Sequence, residues 1–389
     1  MPNGRSADVV VVGGGIIGCF IAYYLTRRGV KPLVIEASGI GSQASGRAAG
    51  IITPSWGPVP AGLMKLHPAT FRMHVDLAAR LPEESGVDYG YELIPHVKLV
   101  FTEDGAANLR KWQAERLAEG SSVTWLTPEE ARKAVPYLTG EPLGGVVSEI
   151  EPQCDAFELV RAVARAARRG GAQFMAGRFA GLSRDGDRAT GVTVQDGSQV
   201  SAGLIVLAMG PWTGETSRLL EFPVPVAPQR GQLFTLSEGS DPTAGAKVGV
   251  WAWDVGGFIL PKRIGGTIIG TTREDGVGFD RSVTVRGRQN VIAGAARLNE
   301  TITEASIVGE RACLRPVTPD GNPLVGPVPG WRGVVMASGH GGNGIHFGPV
   351  TGTAVADLLI DGRTGYDLAP FAPGRFVSGG AKAAGKTRV

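Results

Sequence analysis

The first apolar block of the chain, Val9 to Leu25, contains no charged residue and changes character halfway through. It begins, after Asp8, with the β-branched run Val9-Val-Val-Val12, breaks at Gly13-Gly14-Gly15, and resumes as an apolar segment that gives way to Arg27 and Arg28 before Gly29. Four valines in a row suit a strand buried on both faces. The segment from Ile16 to Arg28 reads as a buried helix stopped by Gly29. Pro32-Leu-Val-Ile-Glu36 is a second buried strand. A strand–helix–strand order of this kind predicts a right-handed parallel crossover. The block is almost long enough to span a bilayer, but the glycine triplet interrupts it. Asp8 stands where a signal peptide carries only positive charge, and no small-residue cleavage site follows. A soluble, cytoplasmic protein without a transmembrane segment is the expectation.

From Gly62 to Leu143 the pattern shifts to helices mixed with strands. Ala106 to Ala118 has an amphipathic spacing, with Leu109, Trp112 and Leu117 on one stripe. Thr127-Pro128-Glu129-Glu130 forms a capping box with proline at the first helical position, so a helix begins there. Asp155 caps another helix that runs to Arg169 and stops at Gly170-Gly171. Its arginines, Arg161, Arg165, Arg168 and Arg169, mark a solvated face, because the alanines and valines between them supply a buried one. Asp185-Gly186-Asp187 and Asp196-Gly197 are hairpin signals. Leu204-Ile-Val-Leu-Ala208 returns to a buried strand that ends at Gly210. The stretch from Pro223 to Ile307 is rich in strands and turns, including Gly257 to Pro261 and Gly266 to Thr271, and predicts an antiparallel sheet. Gly333 to Gly362 reads as strand, glycine loop and helix, and the small, basic tail after Ser378 as disordered. No internal repeat occurs.

Composition narrows the class. A chain of 389 residues is long for one core and points to about two domains. With 43% hydrophobic and 19% charged residues it is not intrinsically disordered. Its 39 basic and 36 acidic residues leave no electrostatic footprint for nucleic acid. Cys19, Cys154 and Cys313 form neither a metal spacing nor a disulfide framework, which suits a reducing compartment. The 59 glycines are about twice the average share, so many backbone positions turn tightly or approach something closely.

Gly13-Gly14-Gly15-Ile16-Ile17-Gly18, followed by Ala22, is where such an approach has a recognisable chemistry. Gly13 makes the turn, Gly15 admits a pyrophosphate to the backbone, and Gly18 with Ala22 allows close helix–strand packing. The pyrophosphate would sit on the free amides of the helix N-terminus. Glu36 closes the second strand at the distance expected for a carboxylate that binds ribose hydroxyls, which disfavours a 2′-phosphate and hence NADP. The pattern fits FAD and NAD equally.

Three later segments carry further chemistry. Ser42 to Gly50 places small residues around Arg47, and reads either as a loop laid against an extended cofactor, with Arg47 neutralising the pyrophosphate, or as an ordinary surface loop. Gly339-His340-Gly341-Gly342-Asn343-Gly344-Ile345-His346-Phe347-Gly348-Pro349 lets backbone approach a flat ring. Pro349 suits the first position of a helix whose free amides would stabilise an anionic reduced flavin, which favours FAD; a turn that serves packing alone is the other reading. In Cys313-Leu314-Arg315-Pro316-Val317-Thr318-Pro319-Asp320-Gly321-Asn322-Pro323, Arg315 ends a strand and has the bidentate geometry to clamp a carboxylate. Arg311 lies four residues earlier on the same strand face, and either arginine also reads as a surface ion-pair partner.

Taken in order, these motifs resemble the D-amino acid oxidase family of flavoproteins, most closely the glycine oxidase and sarcosine oxidase branch, over nearly the whole chain. Ala208-Met-Gly-Pro-Trp212, Pro228-Gln-Arg-Gly-Gln232 and Gly257-Phe-Ile-Leu-Pro261 belong to the same resemblance. It implies an α/β fold: a Rossmann-like parallel sheet domain that binds FAD, and a second α+β substrate domain built on an antiparallel sheet. The FAD domain would comprise residues 1–85, 145–215 and 310–378, the substrate domain 86–144 and 216–309, with a disordered tail over 379–389. Cofactor contacts are expected from Gly13, Gly15, Ile16, Ile17, Gly18, Glu36, Ala37, Ser45, Arg47, Ala49, Gly50, Ile51, Phe179, Ala208, Gly210 and Trp212. The late loop would add Gly339, His340, Gly341, Gly342, Asn343, Gly344 and Ile345.

The activity implied is oxidation of a carbon–nitrogen bond in a small amino acid or secondary amine. Hydride would pass to flavin N5, the imine would be hydrolysed, and electrons would go to oxygen, or else to a quinone or partner protein. Identical or unlike subunits would both be compatible with it. Arg315 falls where the family holds the substrate carboxylate. Phe258 falls where it often has a tyrosine, so the pocket loses a hydroxyl, and His346 falls at a substrate-binding position. Cys313 matches the cysteine of a flavin thioether in sarcosine oxidase, whereas Arg315-Pro316 follows the glycine oxidase pattern, in which FAD is not cysteine-linked; a buried thiol is the default. Ile268 replaces an oxygen-activating lysine. A nicotinamide-dependent dehydrogenase and a noncatalytic flavin subunit are the competing classes.

Overall fold

The structure, a computed structural model, describes residues 5–53, 59–118 and 120–377; the expected tail over 379–389 lies outside them. The valine run becomes strand Val9–Val12, buried on both sides, at the centre of a six-stranded sheet. In spatial order that sheet contains Leu324–Pro327, Val334–Ser338, Leu204–Leu207, Val9–Val12, Leu33–Glu36 and Gln173–Ala176. Every pairing is parallel except the first. Strand alternation sends Val9 and Val11 to one core and Val10 and Val12 to another. The first core holds the helices Ile16–Arg27, Ala61–Ser85, Ala156–Arg169 and Gly344–Asp361. The second is closed by a small sheet of Arg5–Ser6, Phe179–Asp185, Arg188–Val194 and Gln199–Ser201, whose hairpins turn at the two Asp-Gly signals.

An eight-stranded sheet forms the other half of the molecule. Its order is Ile307–Val317, Ala227–Leu236, Ile268–Gly270, Phe258–Leu260, Gly249–Ala252, Glu92–Val100, Gly144–Gln153 and Val123–Leu126. Within the turn-rich stretch 223–307 the strands pair antiparallel, as the sequence predicts; the sheet as a whole is mixed, because Gly249–Ala252 pairs parallel to Glu92–Val100 across a long chain excursion. The strands Gly144–Gln153 and Ile307–Val317 hydrogen-bond into this sheet, so the expected boundaries at 144/145 and 309/310 cut through strands. One face packs Val97, Leu99, Phe234, Val250, Ile259 and Ile269 against the helix Val285–Ala296. The opposite face presents Leu233, Trp251, Phe258, Leu260 and Ile268 towards Ala49 and Ile51.

Local signals set the helix ends. Thr127 and Glu130 complete the capping box, and Asp155 accepts from the Glu158 amide at 2.8 Å. Two helical readings are corrected. In the helix Glu103–Ala118 only Gly105 and Leu109 are buried, while Leu117 is 52% exposed, so the stripe is not a core face. The last long helix begins at Gly344 rather than at Pro349, which lies inside it. Proline there offers no N–H to the Ile345 carbonyl and crowds it. His74 Nε2 donates to that oxygen at 3.2 Å and to His346 O at 2.9 Å, and Thr70 adds a 2.7 Å bond to His346 O. His74 and Thr70, both on the neighbouring helix Ala61–Ser85, thus supply donors to the Ile345 and His346 carbonyls beside the proline.

Candidate active site

Between the two large sheets lies a cavity of about 450 Å³. The fingerprint side supplies Gly13, Gly15, Ile16, Ile17, Glu36 and Ala37, then Ser45, Ala49, Gly50 and Ile51. Phe179, Ala208, Gly210 and Trp212 continue the same wall. The eight-stranded sheet contributes Leu233, Phe258, Cys313 and Arg315, and the late loop His340, Gly341, Gly342, Gly344 and Ile345. Residues more than 300 positions apart in the chain therefore border one space.

The fingerprint works through what its glycines lack. Gly13 has φ +113°, and a Cβ there would stand 2.3 Å from the Ala208 carbonyl oxygen. A Cβ on Gly18 would stand 1.9 Å from Gly13 O, and one on Gly50, at φ +74°, would stand 1.9 Å from Cys154 O. Gly15 caps the first helix without a side-chain bond, and the Ile16 amide donates to Ser45 Oγ at 3.0 Å. The free amides of this helix start face the cavity as a site for negative charge. Glu36 accepts from the Gly14 and Ser38 amides, each at 2.7 Å, which fixes its carboxylate at the end of its strand with lone pairs to spare. A backbone cradle, a helix N-terminus and a fixed carboxylate on one wall fit a dinucleotide.

Arg315 occupies the opposite wall. Its guanidinium lies over Gly231, whose missing side chain leaves room for it. Nη1 donates to Thr272 O at 3.0 Å and Nη2 to Thr271 Oγ1 at 2.9 Å. Both acceptors are neutral, so the fixed cation keeps its charge for the cavity. Phe258 is buried at 2% exposure beside it and presents an apolar ring. Arg311 shares the strand face but lies beyond the cavity, donating to Thr235 Oγ1 at 2.9 Å; burial lowers its pKa.

Several expected contacts sit elsewhere. Arg47 does not line the cavity: its Nε donates to Ser42 O at 3.0 Å and Nη1 to Ala312 O at 3.4 Å, which spends the group on main chain. His346 does not line it either. The turn of the helix sends Ile345 to the cavity and the next side chain into the helix Ala61–Ser85, where His346 Nε2 lies 3.0 Å from His67 Nδ1. Burial drives the His346 pKa well below the usual range. Asn343 caps that helix, Gly18 packs under the fingerprint, and Gly339 packs on the Thr318 turn, all outside the cavity wall. His340 does line it. Its Nε2 lies 3.0 Å from Thr351 Oγ1, and burial lowers its pKa to about 3, so the ring is neutral.

Sequence reasoning missed Thr53, Thr271 and Arg273, which also line the cavity. The signal for Arg273 was present: strand alternation carried past Gly266–Thr271 puts residues 271 and 273 on one side.

Comparison with known proteins agrees with this geometry. The family model described as FAD dependent oxidoreductase, DAO, matches residues 8–358. The chain is 32% identical to the glycine oxidase of Geobacillus kaustophilus (strain HTA426), over 95% of this chain and 97% of that one. It is 30% identical to the glycine oxidase of Pseudomonas aeruginosa PAO1, covering 95% and 99%. The crystal structure of glycine oxidase from Geobacillus kaustophilus superposes with a TM-score of 0.88, 31% identity, and coverage of 95% and 99%. The choice between FAD and NAD that the glycine fingerprint leaves open is thereby decided, and the chain belongs to the DAO family of FAD-dependent oxidoreductases.

Proposed function

We propose that the protein oxidises the carbon–nitrogen bond of a small amino acid or secondary amine. The observation that carries this reading is Arg315, a fixed cation with neutral protein partners, opening onto the same cavity as the dinucleotide cradle. FAD held by the cradle would supply the two-electron acceptor for this oxidation, with oxygen as the final acceptor and hydrogen peroxide as its product.

The chain supplies orientation. Arg315 binds the substrate carboxylate and holds the reacting carbon in one place. Phe258 and Leu233 keep water from that carbon, and His340, neutral, offers hydrogen bonding without charge. The amine reacts unprotonated, so its nitrogen lone pair assists loss of the hydride and no side-chain base is needed. The substrate loses two electrons and two protons to become an imine, which water hydrolyses to an oxo acid or aldehyde and the free amine or ammonia. FAD contacts come from Gly13, Gly15, Ile16, Ile17, Glu36, Ala37, Ser45, Ala49, Gly50 and Ile51. Phe179, Ala208, Gly210, Trp212, His340, Gly341, Gly342, Gly344 and Ile345 complete them, while Cys313 remains a thiol. Residues 1–85, 145–215 and 310–378 make the FAD domain and 86–144 and 216–309 the substrate domain, with the 144–153 and 307–317 strands crossing into the substrate sheet. The protein works in the cytoplasm; no helix among the described residues is long and apolar enough to cross a membrane.

One observation favours a different acceptor, a quinone or partner protein. Ile268, where an oxygen-activating lysine is expected, is buried with Leu233, Trp251, Phe258 and Leu260. Anaerobic mixing of the yellow protein with a panel of amino acids and secondary amines tests the main reading, which predicts bleaching of the flavin by at least one of them. Peroxide yield against dye reduction then separates the acceptors. If Arg315→Ala leaves kcat/KM on the bleaching substrate unchanged, Arg315 is not in the site.

A further inference from the structure

One exposed segment reaches from the eight-stranded sheet to the six-stranded half of the molecule. Residues 274–282 follow the strand Ile268–Gly270 and turn through Gly276 and Gly278, at φ +70° and +58°. Their base is fixed by Arg230, which is 6% exposed on the strand Ala227–Leu236. Arg230 Nη2 donates to Glu274 Oε2 at 2.7 Å and Nη1 to Asp280 Oδ2 at 2.6 Å, so one guanidinium grips the segment near both ends. Gln232 Nε2 adds a 2.7 Å bond to Glu274, and Gln229 Nε2 a 2.9 Å bond to Asp275. The tip crosses to the other half. Phe279 stacks on Trp212, with ring centroids 5.4 Å apart and planes inclined by 18°, and Arg281 Nη1 donates to Gln43 Oε1 at 2.6 Å. Trp212 and Gln43 both line the cavity, whereas none of residues 274–282 does.

Those two contacts straddle the glycine fingerprint. Trp212 follows the strand Leu204–Leu207 and Gln43 follows Leu33–Glu36, and these strands are the two neighbours of Val9–Val12. The segment therefore passes outside the cavity, across the stretch where Gly13, Gly15 and Glu36 form the dinucleotide cradle. Base and tip are held unequally. The base rests on charge-assisted bonds to a buried guanidinium. The tip rests on a ring left 40% exposed and on one exposed hydrogen bond, each worth a factor of about ten or less. We propose that residues 274–282 are a strap over bound FAD, which enters and leaves when Phe279 and Arg281 lift off Trp212 and Gln43. The inference rests on the cradle proposed above as the seat of FAD, and is independent of the substrate.

Release of FAD from the loaded protein, followed as fluorescence of the freed flavin after dilution, and rebinding by the stripped protein read both directions of passage. Phe279→Ala/Arg281→Ala should speed release at least about tenfold, the loss of one ring stack and one hydrogen bond. Rebinding should be as fast as in the wild type or faster. Release at the wild-type rate overturns the proposal. So does faster release with slower rebinding, the mark of contacts that shape the cradle without barring it. Joining Gln43→Cys to Arg281→Cys with a short bismaleimide in the loaded protein works in the opposite direction, and does not depend on the alanine variant folding. The three native cysteines are buried and shielded from the reagent. Release should slow at least about tenfold once the bridge is closed, against the same protein before joining; an unchanged rate overturns the proposal. Glu36→Ala separates the two levels of the argument, because it should speed release and leave entry unchanged. If it keeps FAD as the wild type does, the cradle reading fails and the strap with it. If it loses FAD while the alanine pair and the joined pair both release at the wild-type rate, the cradle stands and the strap falls.

Discussion

The guanidinium of Arg315 passes across the bare backbone of Gly231, and a Cβ on that glycine would stand 2.3 Å from Arg315 Nη2. Gly231 lies on the strand Ala227–Leu236, paired with Cys313 on the neighbouring strand. Arg315 must cross that strand to reach Thr271 and Thr272, and only a residue without a side chain lets it. Gly231→Ala should therefore displace the arginine while leaving the sheet intact. We expect KM for the carboxylate substrate to rise about tenfold or more, the loss of a charge-assisted pair, with flavin content unchanged. An unchanged KM would show that Arg315 does not depend on this gap.

Cofactor retention should fail at a different glycine. Gly18→Ala puts a methyl group 1.9 Å from Gly13 O, against backbone that cannot retreat without opening the fingerprint turn. The purified variant should be nearly colourless yet keep its far-ultraviolet circular dichroism. Gly181→Ala, which meets nothing within 4 Å, is the control and should stay yellow. A yellow Gly18→Ala protein would refute the close-packing argument.

Acid lability should track the buried histidines. Burial lowers His74 to about 4 and His340 to about 3, whereas an unfolded histidine titrates near ~6.5. Because the folded pKa lies below the unfolded one, only the unfolded chain takes up protons between these values. The stability these rings permit is thus complete above pH ~6.5 and declines as the pH falls towards 4 and 3. At pH 5 the loss is about 2 kcal/mol for each. Urea unfolding at pH 8, 7, 6 and 5 measures it, and a flat profile from pH 7 to 5 would contradict burial of neutral rings.

The flavin should leave on acid precipitation, giving a white pellet and a yellow supernatant, and Cys313→Ser should stay yellow when native. Cys313 lines the cavity, so proximity alone does not decide the matter. Colour that remains with the pellet, and is lost from it in Cys313→Ser, would establish the thioether.

Arg47 now serves as a test of architecture rather than of cofactor charge. It bonds Ser42 O in its own loop and Ala312 O in the eight-stranded sheet. Arg47→Ala should lower stability by about 1–2 kcal/mol through the lost hydrogen bonds, with retention of FAD. Loss of flavin at unchanged stability would return Arg47 to the pyrophosphate.

The chain itself determined whatever depends on a few neighbouring residues. The valine run, the glycine fingerprint, Glu36 and the caps at Thr127 and Asp155 were legible because strand alternation, positive φ and capping are local properties. Arg315 was legible as a residue type at a strand end, and the tertiary structure supplied the gap at Gly231 that lets it reach the cavity. Arg47 was placed in the cavity by its small neighbours in sequence and His346 by the family resemblance, yet Arg47 is consumed by carbonyls and His346 lies one residue, and so a large rotation about the helix axis, past the cavity-facing Ile345. Leu117 had the spacing of a buried stripe with no partner element to cover it. The late start of the Pro349 helix failed because His74 and Thr70 offer that helix the donors a proline withholds, and they come from another helix. Arg273 lines the cavity in a segment whose next residue, Glu274, bridges to Arg230, a pairing that the local sequence does not announce. Periodicity assigns a face to a residue, but which face meets the cavity is set by the packing of elements distant in the chain.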